Sequence, residues 1–306
     1  MKVLIATSKP FAVAAVEGIR EILASAGHEI ALLEKYEGQA ALVEAARDAD
    51  AMIVRSDLVT SEVIAAAPRL KIVVRAGAGY DNIDLAAASA RGVVVMNTPG
   101  QNANAVAELA VAMMIFMARN QFTPSTGSEL SGKTLGIQAF GNVGRLVGAK
   151  AAALGMKVKA VDPFLSDADI IRGGAEPVAT VEQLYASCDY VSIHVPATPQ
   201  TVGSIGYELI SSMPKGALLL NTARKEVIDE KGLEKALEER PDLKYAADVA
   251  PDSIASLKEK FGLRVFSTPK KMGAQSAEAN VNAGLAAARQ ICSFFSDGDT
   301  RFQVNR

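Results

Sequence analysis

A short glycine-containing turn and a carboxylate further along the chain are the first residues in this sequence whose types and spacing could do chemistry. The turn reads Ala139-Phe-Gly-Asn-Val-Gly144. Asp162 stands at the end of the next strand-like segment, Lys157 to Val161. In a strand-turn-helix-strand unit, such glycines let the backbone approach a pyrophosphate, the helix N-terminus supplies partial positive charge, and an acid about 20 residues on accepts ribose hydroxyls. The alternative is a turn whose glycines serve packing alone. Since strand, turn, helix, strand and acid all occur in order, the pattern favours a dinucleotide site.

The turn departs from the usual Gly-x-Gly-x-x-Gly pattern at its first position, which is Ala139. A Cβ is tolerated there only if the residue keeps a negative φ, so we expect a negative φ at Ala139. The closest approach to phosphate then falls to Gly141. The surrounding unit is predicted as a strand from Thr134 to Gln138, a helix from Arg145 to Leu154 and a strand from Lys157 to Val161.

Three predicted strand ends nearer the N-terminus carry a second set of polar or flexible residues. Arg55-Ser56 follows the first of these strands, Gly77-Ala-Gly79 follows the second, and Asn97-Thr-Pro-Gly-Gln-Asn102 follows the third. The glycine loop could offer backbone N–H groups to a carboxylate, and Arg55 could hold a second anionic group. Each segment alone could be a tight turn, with Arg55 in solvent. Converging on one edge of a parallel sheet, they predict a site for a small anionic ligand.

The elements that would position these residues alternate regularly along the chain. Five apolar, strand-like runs with helical segments between them precede Asn97, and parallel neighbours need such crossover helices. The same alternation resumes at the glycine turn. A long helix from Ser276 to Phe295 is expected to cross back to the first domain. The sequence therefore predicts an α/β chain of two doubly wound domains, one of residues 1–99 with 285–306 and one of residues 100–284.

Composition narrows the classes of function. The chain has 306 residues, of which 49% are hydrophobic and 22% charged, and its formal net charge is −2. We expect no nucleic-acid partner and no membrane association, because the charge is balanced and no apolar run reaches the roughly 18 residues of a membrane span. Cys188 and Cys292 lie far apart without neighbouring ligand residues, so we expect reduced thiols and no metal site. Met1 leads directly into a strand instead of a signal peptide, which favours a cytoplasmic protein.

Further motifs, in a fixed order over nearly the whole chain, make the sequence similar to the D-2-hydroxyacid dehydrogenases. The motifs are Arg75-Ala-Gly-Ala-Gly-Tyr-Asp-Asn-Ile-Asp84, Asn97-Thr-Pro-Gly-Gln-Asn102, Val106-Ala-Glu108, the glycine turn, His194-Val-Pro196, Asn221-Thr-Ala-Arg224 and Thr268-Pro followed by Gly273-Ala274. Within the family, the chain most resembles short D-3-phosphoglycerate dehydrogenases without an appended regulatory domain. The resemblance implies a flavodoxin-like substrate domain, a Rossmann NAD-binding domain, and hydride transfer between NAD and C2 of a small anionic 2-hydroxy or 2-oxo acid. It also implies a homodimer formed through the segment from Val106 to Arg119.

The resemblance also implies roles for individual residues. Arg224 matches the arginine that binds the substrate carboxylate and carbonyl, and Asp248 matches the acid that faces the nicotinamide carboxamide. His194 belongs to a wall of the adenine pocket, which makes it a structural residue and not an acid-base catalyst. The implied substrate-binding residues are Arg55, Ser56, Ala78, Gly79 and Asn102. The implied cofactor-binding residues are Phe140, Gly141, Asn142, Val143, Gly144, Asp162, Pro163, His194, Val195, Pro196, Thr201, Thr222, Ala223, Arg224, Asp248 and Gly273.

The sequence departs from the family pattern at the acid-base residue. Where the family has a histidine after Thr-Pro, this chain has Lys270-Lys271-Met-Gly273; alignment on the glycine selects Lys271, and alignment on the proline selects Lys270. The family's partner glutamate is also missing, with Asp252 the nearest acid. A neighbouring carboxylate keeps a histidine protonated, whereas a lysine, with an ordinary pKa of about 10.4, is cationic without help. We therefore interpret the site as a lysine variant with Lys271 as the acid-base residue; a catalytically inactive, NAD(H)-sensing relative is the alternative.

The end of the second strand predicts which dinucleotide binds. An ionised Asp162 would accept ribose hydroxyls and repel a 2′-phosphate, and Pro163 and Phe164 follow it without an arginine to neutralise it. We therefore expect NAD in preference to NADP. For the substrate, the family resemblance implies D-3-phosphoglycerate, with reduction of hydroxypyruvate or glyoxylate as the alternative within the same family.

Overall fold

The computed structural model describes residues 1–306 as alternating strands and helices. The strands are β1 (Lys2–Thr7), β2 (Glu29–Glu34), β3 (Ala51–Val54), β4 (Ile72–Arg75), β5 (Val94–Asn97), β6 (Thr134–Gln138), β7 (Lys157–Val161), β8 (Glu176–Pro177), β9 (Tyr190–Ile193), β10 (Leu218–Asn221), β11 (Lys244–Ala247) and β12 (Val265–Ser267). The helices are α1 (Val13–Ser25), α2 (Gln39–Ala46), α3 (Ser61–Ala66), α4 (Leu85–Ala90), α5 (Ala103–Ala118), α6 (Asn142–Ala153), α7 (Asp167–Arg172), α8 (Val181–Ser187), α9 (Tyr207–Ser212), α10 (Glu230–Glu239), α11 (Ile254–Phe261) and α12 (Ala277–Asp297). None of these helices combines the length and the apolar character that crossing a bilayer requires.

The chain divides into two compact units, the first of Met1–Asn102 with Gln275–Arg306 and the second of Ala103–Ala274. We predicted boundaries after residue 99 and before residue 285, the latter in the middle of α12. In the division into compact units, the chain re-enters the first unit in the loop just before α12. A helix is a rigid hydrogen-bonded element, so a boundary falls in the loop that precedes it more readily than inside it. The N-terminus of α12 is fixed by its cap, because Ala279 N donates to Ser276 Oγ at 3.1 Å.

The first unit contains a five-stranded parallel sheet with the order β2-β1-β3-β4-β5. This is the flavodoxin-like order, and it confirms the predicted doubly wound fold. The central strand β3 is buried at every residue because helices cover both faces of the sheet. On one face α1 and α12 approach closely: a Cβ built on Gly18 would lie 2.6 Å from the Leu285 side chain. The strand order places the carboxyl ends of β3, β4 and β5 side by side at one edge.

The second unit contains a seven-stranded parallel sheet with the order β8-β7-β6-β9-β10-β11-β12. The order reverses between β6 and β9, as in the Rossmann fold, which confirms the predicted class of this domain. Apolar residues of α5 are buried in the same core cluster as residues of β6 and α6, among them Met113, Met114, Leu135 and Val147. In open sheets of this type, ligands bind at the carboxyl ends of the strands where the order reverses. The loop after β6 therefore lies at the expected ligand position.

Three consecutive residues after α5 adopt left-handed backbone conformations although none is glycine. The φ angles are 49° at Asn120, 57° at Gln121 and 58° at Phe122. Side-chain hydrogen bonds hold this short turn: Lys244 Nζ donates to Asn120 Oδ1 at 2.9 Å, and Gln121 Nε2 donates to Leu263 O at 3.1 Å. An L-residue in this region costs about 1–2 kcal/mol, so these bonds offset a real backbone penalty.

Candidate active site

The glycine turn links β6 to α6 at the point where the second sheet reverses its strand order. Gly141 is the N-cap residue of α6, and no side chain caps this helix end. A Cβ built on Gly141 would meet no atom within 4 Å, so there is open space beside this residue at the N-terminus of α6. Gly144 is needed for a different reason, because a Cβ there would lie 2.4 Å from Ala139 O. Open space beside unpaired helix N–H groups suits a pyrophosphate.

Ala139 has a φ of 73°, so our expectation of a negative φ at this position was wrong. The turn keeps the left-handed geometry that a glycine normally supplies, because contacts on both sides of Ala139 fix it. Its N–H donates to Val161 O at 2.9 Å, and its carbonyl lies against the Cα of Gly144. A left-handed alanine costs about 1–2 kcal/mol, and the rest of the unit must offset that strain.

Asp162, directly after β7, binds back onto the glycine turn. Its Oδ2 accepts a hydrogen bond from Phe140 N at 2.9 Å, and its Oδ1 accepts one from Phe164 N at 2.9 Å. A carboxylate has about four acceptor positions, so about two remain for ribose hydroxyls. Pro163 and Phe164 are exposed, and the Phe164 side chain is among the most exposed in the chain. Asp162 therefore shapes the turn and keeps the capacity to bind a ribose.

His194 follows β9 and is unsuited to acid-base work near neutral pH. Burial lowers its pKa to about 4, and its Nε2 lies 2.9 Å from Ser192 Oγ. Burial also lowers the pKa of His28, the other histidine of the chain. The segment after His194 is ordered by Thr201, whose hydroxyl donates to Pro196 O. With a pKa of about 4, the His194 imidazole is neutral at pH 7 and poorly suited to serve as a general acid.

Asn221, at the end of β10, organises the turn that carries Arg224. Its Oδ1 accepts from Ala223 N at 2.9 Å, and its Nδ2 donates to Arg224 O at 2.8 Å. Arg224 Nη1 donates to Ala223 O at 2.9 Å, and the planar guanidinium carries further donors. Thr222 Oγ1 is buried and has no hydrogen-bond partner, although buried hydroxyls usually have one. An orphaned hydroxyl beside Arg224 marks a place where a bound ligand could supply the partner.

Asp248 binds the loop that carries the two candidate acid-base lysines. Its carboxylate is nearly inaccessible; Oδ1 accepts from Met272 N at 2.8 Å and Oδ2 from Gly273 N at 2.8 Å. The side chains of Lys270 and Lys271 are exposed. The sequence placed Asp248 and Gly273 in the site, and the structure shows that they contact each other.

Asp252, the acid nearest to the place of the missing glutamate, is engaged elsewhere. Its Oδ1 lies 2.6 Å from Lys225 Nζ, and its side chain is 81% exposed. Its backbone N–H donates to Glu230 Oε1 at 2.9 Å. An exposed carboxylate already paired with another lysine is poorly placed to substitute for a buried catalytic partner.

In the first unit, Arg55 is half-buried and its guanidinium is held from several sides. Nη2 donates to Asn280 Oδ1 at 2.5 Å, Nη1 donates to Pro10 O at 3.3 Å, and the group lies over the Phe11 ring at 5.2 Å. Burial lowers the pKa of Arg55, and the charge of Asp57 acts in the opposite direction. Arginine stays protonated in proteins, so Arg55 remains a fixed cation.

Asp57, which sequence reasoning did not select, holds the loop that carries Arg55 and Ser56. This buried carboxylate accepts from Ser8 N at 2.6 Å and from Tyr36 Oη at 2.7 Å. The backbone of the same loop is held by Asn82, whose Nδ2 donates to Asp57 O at 2.7 Å. An acid just past the end of an apolar strand was the only signal in the sequence, and it resembles an ordinary loop residue.

The glycine loop of the first unit follows β4 and contacts the end of β5. Gly77 has a φ of 144°, and a Cβ there would overlap the guanidinium of Arg75 at 1.4 Å. Asn97 Nδ2 donates to Ala78 O at 2.6 Å, which ties the loop to the end of the neighbouring strand. The predicted substrate-binding residues Arg55, Ser56, Ala78, Gly79 and Asn102 all lie in the loops after β3, β4 and β5.

Comparisons with known proteins agree with this architecture. Residues 103–269 match the family described as D-isomer specific 2-hydroxyacid dehydrogenase, NAD binding domain. A D-3-phosphoglycerate dehydrogenase from Mycobacterium leprae is 36% identical over 264 residues, covering 82% of this chain and 50% of that protein. A hydroxypyruvate reductase from Thermotoga maritima is 37% identical over 282 residues, covering 85% of this chain and 88% of that protein. The crystal structure of an NAD+-bound 3-phosphoglycerate dehydrogenase from Entamoeba histolytica is 50% identical, with a TM-score of 0.90 and coverage of 100% of this chain and 99% of that one.

The chain therefore belongs to the D-isomer specific 2-hydroxyacid dehydrogenases, which confirms the family indicated by the motifs. Its second unit is an NAD-binding domain of that family. The chain spans about half the length of the curated D-3-phosphoglycerate dehydrogenases it matches. The residues present fit NAD, because the N-terminus of α6 is uncapped, Gly141 faces open space, Asp162 keeps acceptor positions and the Thr222 hydroxyl lacks a partner.

Proposed function

We propose that this protein is an NAD-dependent dehydrogenase that oxidises D-3-phosphoglycerate at C2. The proposal is carried by the end-to-end similarity to the Entamoeba histolytica 3-phosphoglycerate dehydrogenase, at 50% identity and a TM-score of 0.90. That similarity includes the loops after β3, β4 and β5 as well as the NAD-binding domain. When bound, NAD+ would accept the hydride that leaves C2.

Arg224 is proposed to bind the substrate carboxylate and the oxygen at C2. A planar guanidinium can donate to two oxygens at once, and it stabilises the negative charge that develops on the C2 oxygen as the carbonyl is reduced. Two hydrogen bonds of the Asn221 side chain support this role, because Oδ1 accepts from Ala223 N and Nδ2 donates to Arg224 O, which restricts the backbone that carries Arg224.

Lys271 is proposed to exchange the proton of the C2 hydroxyl. During oxidation a neutral lysine takes that proton, and during reduction the protonated lysine returns it. The low pKa of His194 supports this assignment, because that imidazole is neutral at pH 7 and cannot serve as the acid. No partner carboxylate is required, since an ammonium group is the ordinary state of lysine near neutrality.

The test is a comparison of catalytic efficiencies. The purified protein is assayed with NAD+ and D-3-phosphoglycerate, and in reverse with NADH and 3-phosphohydroxypyruvate, hydroxypyruvate or glyoxylate. We expect the highest kcat/KM with the phosphorylated acids. A higher kcat/KM with hydroxypyruvate would instead favour a hydroxypyruvate reductase, a candidate supported by the Thermotoga maritima relative. Tight NADH binding without turnover of any acid would favour an NAD(H)-sensing protein.

We further infer a homodimer that uses α5. This helix carries apolar residues around most of its circumference, and some of them, such as Ala112 and Ile115, are exposed in the single chain. Apolar residues left at a helix surface are typical of an interface between copies. Light scattering at micromolar concentration should give the mass of two chains, and a monomer mass would contradict this inference.

A further inference from the structure

The two peptide groups that flank Lys271 are both held by buried side chains. On the N-terminal side, the carbonyl of Lys270 lies 2.9 Å from Thr268 Oγ1. On the C-terminal side, Met272 N donates to Asp248 Oδ1 at 2.8 Å. A peptide group is planar, so φ and ψ are the only soft dihedrals between two neighbouring groups. Holding both groups therefore restricts the backbone of Lys271 itself, whereas Lys270 lies before the bracketed position.

Thr268 and Asp248, whose side chains hold the peptide groups on either side of Lys271 and so form a bracket around it, also bind each other. Thr268 Oγ1 lies 2.9 Å from Asp248 Oδ1, so its single proton is shared between that carboxylate and the carbonyl of Lys270. Gly273 N donates to the other carboxylate oxygen of Asp248 at 2.8 Å. Thr268 and Asp248 are both buried. Hydrogen bonds to an ionised group are the stronger ones, and low local dielectric strengthens them further, so this bracket resists displacement.

We propose that Thr268 and Asp248 are positioning residues that orient Lys271 for proton exchange. They act through the backbone, whereas the family pattern places a carboxylate beside the acid-base residue. The inference rests on the proposed function, because it assumes that Lys271 exchanges the proton. It also selects Lys271 over Lys270, since only the former lies between the two anchored peptide groups.

The decisive variant is Thr268→Val, which keeps the shape of the side chain and removes the hydroxyl. The matched control is Thr180→Val, because Thr180 is an exposed N-cap whose hydroxyl accepts from Gln183 N, and losing it destabilises α8 without touching the bracket. We expect Thr268→Val to lower kcat for D-3-phosphoglycerate oxidation by about tenfold or more, since small misplacements of a catalytic group cost that much. KM and the NADH dissociation constant should change by less than about twofold.

Rescue separates positioning from a general loss of structure. Thr268→Ser restores the hydroxyl and should recover most of kcat, while Thr180→Val should keep the wild-type kcat at a similarly lowered thermal midpoint. If Thr268→Val does not fold, Thr268→Ala takes its place with the same expected loss of kcat. A wild-type kcat in the hydroxyl-less variant, or no recovery with serine, would overturn the proposal.

A second measurement does not depend on turnover. Amide hydrogen exchange at Met272 and Gly273, in the protein without cofactor, should be faster by about tenfold or more in Thr268→Val than in wild type, because the bracket opens more often. If exchange at both amides is the same in Thr268→Val as in wild type, the bracket is refuted, whichever acids the enzyme turns over. Absence of turnover by wild-type protein with all the acids tested would refute the proposed function instead, so the two failures are distinguishable.

Discussion

The left-handed alanine in the glycine turn gives the sharpest stability prediction. Relieving the conformation at Ala139, where φ is 73°, recovers about 1–2 kcal/mol in the folded protein. The variant Ala139→Gly also makes the unfolded chain more flexible, which costs about 0.4–1 kcal/mol. The difference predicts that Ala139→Gly raises the free energy of unfolding by about 0.8 kcal/mol. The sign is unusual, because glycine normally destabilises.

The matched control makes the same chemical change in a right-handed position. Ala152 is exposed in the last turn of α6, so Ala152→Gly should lower the free energy of unfolding by about 0.5–1 kcal/mol. Urea unfolding of both variants and wild type, followed by far-ultraviolet circular dichroism, gives the two shifts in midpoint. Opposite shifts are expected. A shift of Ala139→Gly in the same direction and of the same size as that of Ala152→Gly would show that the turn stores no backbone strain, and the reasoning would be refuted.

Four further predictions concern catalysis and specificity. Lys271→Ala should abolish turnover and leave NADH binding, measured by fluorescence titration, nearly unchanged, while Lys270→Ala should stay active. Loss of turnover in Lys270→Ala with an active Lys271→Ala would instead favour the alignment on the proline. With wild-type protein, the rate of oxidation should keep rising well above pH 7, because a lysine must lose its proton to act as the base. Because the Asp162 carboxylate repels a 2′-phosphate, kcat/KM should be far higher with NAD than with NADP. Equal values of kcat/KM would contradict the assignment of NAD as the cofactor. Arg55→Ala should raise KM for D-3-phosphoglycerate about tenfold or more, since a charged hydrogen bond contributes about 1.5–3 kcal/mol. KM for glyoxylate should stay nearly unchanged. Equal increases in KM for both acids would show that Arg55 has only a structural role.

The parallel pairing of the strands and the position of the loops at their carboxyl ends followed from local patterns. β3 reads as a continuous apolar run because both its faces are buried, and helical segments between such runs leave parallel pairing as the consistent topology. The loops at the carboxyl ends of these strands are then the predicted location of a ligand site. For this reason Gly141 and Arg55 could be singled out from the sequence alone.

Geometry that depends on residues far apart in the chain could not be predicted. The φ angle of Ala139 is set by contacts with Val161 and Gly144, and the sequence pattern argued for the opposite sign. The role of Asp57 depends on Tyr36, which approaches it only in the folded sheet. The left-handed turn at residues 120–122 contains no glycine, so the sequence carries no signal from which it could be predicted. In each case, long-range hydrogen bonds or packing override the local preference of the residue.

The burial of His194 couples unfolding of this protein to proton uptake. An unfolded histidine has a pKa of about 6.5, whereas His194 in the folded chain has a pKa of about 4. Between these two values the unfolded chain binds a proton that the native chain refuses, so the free energy of unfolding falls as the pH decreases through this window. The loss is about 1.4 kcal/mol per pH unit and about 3.4 kcal/mol in total over the pKa difference of about 2.5 units. His194→Asn should flatten acid unfolding between pH 6.5 and 4. Burial of a single imidazole thus contributes to the acid sensitivity of the fold.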